Sequence, residues 1–188
     1  MAEIAAIFKG DDPIGAYVAI PIAALVAIAQ STLAPRLRIL GVSPDWVLLF
    51  TVSAVLFYGF RSCIPLLLVS GLVLDTLSGA PFGLMMLSLA IANLLAGLGE
   101  LNVFRTARYL PYLAIAGATL LYEGSLLILL RLLREYTTTG QAAIWWPLLW
   151  RVVLPSVVLN TLLMPIAYYL MAKLLGVRWD RGVPMVGE

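Results

Sequence analysis

Apolar residues fill most of this chain in six long blocks, at residues 14–33, 46–60, 63–77, 82–98, 110–130 and 152–175, parted by short polar connections. Lipid offers backbone groups no partners, so blocks of this kind form helices or a closed barrel, and a helix needs about 20 mainly apolar residues to cross. Their lengths predict helices. The expected fold is therefore an all-α, polytopic membrane protein: one integral membrane domain over residues 1–188 with six transmembrane helices, the third of them short. As a helix, residues 63–77 would reach roughly 22 Å against a hydrocarbon core of about 30 Å, so it is expected to end inside the protein. A re-entrant hairpin over residues 63–81 is the alternative topology.

Local signals divide the blocks. Ser43-Pro44-Asp45 is a turn that starts a helix at Trp46, and Gly59-Phe60-Arg61-Ser62 reads as a tight reversal at Arg61. Ala16, Ala19, Ala23 and Ala27 recur at three and four in the first block, a stripe that allows close helix packing. Pro155 and Pro165 are expected to bend the last helix. Trp145, Trp146 and Trp150 place part of residues 137–151 along the headgroup level. With six crossings, Lys9, Arg61, Arg105, Arg108, Lys173, Arg178 and Arg181 gather on one side and Arg36, Arg38, Arg131, Arg134 and Arg151 on the other. That excess puts both termini in the cytoplasm. Ala27-Ile28-Ala29 has the form of a signal-peptidase site, but Glu3, Asp11 and Asp12 outweigh Lys9 before it, so the first span is expected to be retained.

Composition narrows the chemistry. The chain is 62% hydrophobic, more apolar surface than a soluble core of this length buries, and its net charge of +2 is too balanced to point to nucleic acid. His is absent and Cys63 is alone, which removes disulfides, Cys/His zinc sites and the commonest general base. Neither H-E-x-x-H nor G-x-S-x-G occurs. No enzymatic activity, metal or cofactor is expected.

The residues that stand out are polar ones in apolar blocks. An ionisable group at the bilayer centre costs about 2.5–3.5 kcal/mol, so Asp75 and Glu123 need a partner or water. Asp75 either caps amides of the Thr76 to Phe82 turn or serves a proton relay, a ligand or a partner. Gly79 and Gly83 allow positive φ or close approach there, and Pro81 is placed to begin the fourth helix. Glu123 has Arg36, Arg38, Asn160 or a water-filled cavity as candidate partners. Asn93 and Asn160 are mid-helix amides of the kind that hydrogen-bond between helices.

The stretch GLVLDTLSGAPFG at residues 71–83, preceded by SPDWVLL at residues 43–49, resembles the MreD family of bacterial rod-shape-determining membrane proteins. Gly71, Asp75, Ser78, Gly79 and Gly83 fall on that family's pattern of glycine, apolar residues, aspartate, small-residue turn and glycine, and Pro44 and Asp45 on its upstream Pro-Asp. The resemblance implies a non-enzymatic scaffold of the cell-elongation machinery in the bacterial plasma membrane. It implies direct binding to MreC and, through it, links to RodA, a class B penicillin-binding transpeptidase and MreB, with membrane lipids as surroundings. On this reading Asp75 and its turn shape a rigid core and the outer helix faces receive MreC. The chain also looks like the substrate-binding subunit of energy-coupling-factor vitamin transporters, where Ala19, Ala23 and Ala27 would meet a coupling subunit. A similar fold is implied for both families.

Overall fold

Among the described residues there are six α-helices: α1 (Pro13–Leu33), α2 (Trp46–Tyr58), α3 (Phe60–Ser78), α4 (Leu84–Leu98), α5 (Leu110–Thr137) and α6 (Leu154–Leu174). The computed structural model describes residues 13–37, 41–79, 81–98, 110–137, 149–174, 178–180 and 183–185, with the side chains of α1 described from Pro21 onward. A 3-10 turn (Ala34–Arg36) extends α1, a π turn (Leu149–Val153) leads into α6, and two short strands, Arg178–Asp180 and Val183–Met185, pair antiparallel. Three helical stretches, Phe60–Ser78, Pro111–Leu133 and Trp150–Met171, are long and apolar enough to cross a membrane, whereas Pro21–Leu33, α2 and α4 are apolar but shorter.

The shortest of the six helices, α2, is the centre of the bundle. It packs against α1, α3, α4, α5 and α6, and those five are arranged around it in the order α1, α3, α4, α5, α6. Its sequence, WVLLFTVSAVLFY, is apolar on every side, the pattern of a helix surrounded by others rather than lying on a surface. Accordingly Val47, Leu48, Val52, Ala54 and Val55 are completely buried. At 13 residues α2 is about 20 Å long, so it does not reach both faces of a bilayer by itself.

Polar side chains tie this short pillar to its neighbours. The Asp45 N–H donates to Asn160 Oδ1 of α6 (3.0 Å), and the Asn160 amide nitrogen donates to Thr119 Oγ1 of α5 (3.4 Å). The Val47 N–H donates to Gln30 Oε1 of α1 (2.6 Å). Deeper in the bundle, Asn93 Nδ2 of α4 donates to Thr51 Oγ1 (3.1 Å) and to the Leu89 carbonyl (2.9 Å). Farther along α2, Phe57 stacks on Tyr168 of α6 with ring centroids 4.5 Å apart. Because Asp45 meets Asn160 and Phe57 meets Tyr168, α2 and α6 run in the same direction.

Two boundaries depart from the sequence expectation. The third helix is not the short one: it has 19 residues and begins at Phe60, because the reversal is made by Gly59, at φ +90°, and not at Arg61. Phe60-Arg61-Ser62 is already its first turn. The last helix contains Pro165 but has Pro155 at its second position, where the ring's fixed φ suits a helix start. The π turn runs directly into that proline, whose missing N–H interrupts the ordinary ladder. The segment 138–148 with Trp145 and Trp146, and the loop with Arg105 and Arg108, lie outside the described residues.

If Asn160 holds the bundle together at the start of α2, Asn160→Leu strands the Asp45 amide. Its thermal midpoint in detergent should fall by the equivalent of about 1–3 kcal/mol. Val158→Ala, on the exposed side of α6, should change it little.

Candidate functional site

The α3–α4 elbow is built around one carboxylate. Asp75, in the last turn of α3 and only 3% exposed, accepts three backbone N–H groups: Gly83 on Oδ2 (2.9 Å), Met85 on Oδ1 (2.8 Å) and Met86 on Oδ2 (3.3 Å). The first amides of a helix have no intrahelical acceptor, and a carboxylate there is further favoured by the helix dipole. Asp75 therefore caps α4 from the preceding helix, and among the described residues the amides it takes are those of Gly83, Met85 and Met86.

The surrounding residues hold the two helices in reach. A Cβ on Gly71 would sit 2.5 Å from the Met86 Cα, so only glycine lets α3 and α4 approach one turn below Asp75. Gly79 ends α3 in the left-handed region (φ +67°) and Gly83 has φ +93°; a side chain would find space at both, so backbone conformation is what requires glycine. Ser78 Oγ donates to the Asp75 carbonyl (3.3 Å). Pro81 lies ahead of α4 rather than in it, its carbonyl accepting the Leu84 N–H (3.4 Å).

A second aspartate caps the second short helix. Asp45, after buried Pro44 in the connection ahead of α2, accepts the Leu48 N–H on Oδ1 (3.2 Å). Burial holds its carboxyl above the usual carboxylate range, with the Gln30 side chain and the Leu48 amide opposing the shift. Glu123 on α5 has the Ser156 side chain of α6 beside it, while Asn160 is engaged by Asp45 and Thr119. α2 runs from Asp45 to the reversal at Gly59, and α3 returns from there to Asp75. The caps of α2 and α4 therefore belong to the same end of the bundle. Asn93 lies deeper, on Thr51, away from this group. Among the described residues, no set of three His, Cys, Asp or Glu side chains is arranged to hold a metal ion.

The sequence matches the profile of a family described as rod shape-determining protein MreD over residues 12–174. The chain belongs to the MreD family. Searches of curated proteins and of solved structures return no match. MreD is a membrane protein family concerned with rod shape, and both aspartate caps fall within the matched region.

The described part of the alanine stripe of α1 faces inward. Ala23 and Ala27 are completely buried in the core, and the side chain of Ala19 lies outside the described residues. Close packing against the protein's own helices thus occupies the surface that a coupling subunit would need.

Asp75→Ala exposes three amides to apolar surroundings and should cost roughly 2–3 kcal/mol, read as a lower thermal midpoint or folded yield in detergent. Gly71→Ala should cost about 1–3 kcal/mol by pushing α3 from α4. For Asp45, a raised folded-state pKa makes its contribution complete below the ordinary carboxylate range and lost as pH rises through the raised value. The wild type should therefore gain on Asp45→Asn in thermal midpoint as pH is lowered through that window.

Proposed function

We propose that this MreD-family chain is a non-enzymatic scaffold of the bacterial cell-elongation complex. It binds MreC directly, and through MreC connects the peptidoglycan synthases RodA and a class B penicillin-binding transpeptidase to MreB. It crosses the plasma membrane six times with both termini in the cytoplasm. The observation that carries this reading is the Asp75 elbow: the residues of the family-like stretch are spent on fixing two helices to each other, which is what a docking surface requires. Around the elbow the outer faces are apolar, with Leu77 and Phe82 exposed on it and Leu87, Ile91, Leu94 and Leu98 along α4. A single-span helix is a suitable occupant for such faces, since association in lipid relies on close packing rather than on the hydrophobic effect.

The transporter reading has no comparable support, because Ala23 and Ala27 are committed inside the bundle. Affinity purification of the tagged chain from its native membrane should recover MreC and no stoichiometric vitamin, and cells lacking the chain should lose rod shape. Recovery of an ATPase pair with a bound small molecule, or walls of normal form in its absence, would reject the scaffold assignment.

A further inference from the structure

Among the described residues, the ring of helices around α2 is open along one seam. α1 packs on α2 and α3, and α6 on α2 and α5, but α1 and α6 make no substantial packing with each other. The start of α2 emerges on one face: Trp46 is 42% exposed, and Phe50, one turn on, is half-buried. Every other side of α2 is covered by a packed neighbour, so this face opens into the α1–α6 seam. The opening is shallow. Farther along α2, Ser53 is buried with its hydroxyl 3.9 Å from Met164 Sδ, and Phe57 is closed off by its stack on Tyr168. One turn of helix is about 5.4 Å, far less than the roughly 30 Å a transmembrane helix needs, but enough for a glycerol backbone and the first carbons of a fatty chain.

Charge stands above this opening. Gln30 near the end of α1 and Asn160 near the start of α6 both bond to the first residues of α2, so the chain on either side continues outward from the same level. Arg36 comes six positions after Gln30 and Arg151 nine before Asn160, which places both roughly 10 Å farther out, two turns of helix or a little more. Both are exposed, and no carboxylate among the described residues pairs with either. Trp150, beside Arg151, is also exposed, in keeping with the headgroup level.

We propose that the mouth of the α1–α6 seam is a binding site for an acidic phospholipid, its phosphate held by Arg36 and Arg151 and its glycerol end and upper acyl carbons lying on Trp46 and Phe50. Guanidinium groups form paired, charge-assisted bonds to phosphate, and the apolar floor of the seam accepts the glycerol and acyl carbons beneath it.

The test is native mass spectrometry of the full chain from nanodiscs containing equal phosphatidylglycerol and phosphatidylcholine. The wild type should retain one phosphatidylglycerol in preference, and Arg36→Ala/Arg151→Ala should lower that retention about tenfold. Arg61→Ala, in the first turn of α3 at the opposite end of the bundle, should leave it unchanged. A photoreactive residue in place of Phe50 should cross-link to lipid in the native membrane. Equal retention of the two lipids, retention unaffected in the double variant, or a cross-link to a protein helix would overturn the assignment.

Discussion

A helix that starts within an apolar environment must have its first amides satisfied by protein, and two aspartates meet that constraint here. α2 and α4 are 13 and 15 residues long, about 20 and 22 Å, both shorter than a hydrocarbon core. Asp45 serves the first, with Gln30 and Asn160 taking neighbouring amides, and Asp75 serves the second. Without these acceptors each helix would begin with unpaired donors in a medium where each costs several kcal/mol.

The two caps also organise the bundle, because most of their acceptors come from other helices. Asp75 fixes α3 to α4; Gln30 fixes α1 to α2; Asn160 fixes α6 to α2 and, through Thr119, to α5. Helix-to-helix attraction in lipid lacks the hydrophobic effect, so polar ties and close approaches such as Gly71 on Met86 carry more of the specificity than they would in water. The polar groups that make these ties lie inside and the outer faces remain apolar, which suits the proposed scaffold role.

Much of this is legible in the residues. Ser43-Pro44-Asp45 announces a helix start, and a carboxylate ahead of Gly79, Pro81 and Gly83 announces a structured turn, since few other roles suit those residue types in an apolar block. Hydrophobic length is less informative. A charge marks an interface and so points to a reversal at Arg61, yet the backbone turns at Gly59, where positive φ is permitted, and the third helix is longer for it. Partner choice across the bundle is not legible, because it depends on tertiary proximity. Glu123 has several candidates and lies beside Ser156, whose small hydroxyl gives no signal, and Asn160 reaches both the Asp45 backbone and the Thr119 side chain. The central place of α2 is readable only in part, from its lack of a polar face.

The claim that carboxylates and amides close the starts of α2 and α4 is tested most directly by hydrogen exchange of single amides in a lipid nanodisc. First-turn amides without an acceptor exchange quickly where water reaches them, so protection there reports the cap itself. Slow exchange, comparable to mid-helix positions, is expected at Gly83, Met85 and Met86 and at Asp45, Val47 and Leu48. Exchange at those amides as rapid as at an exposed turn would contradict it.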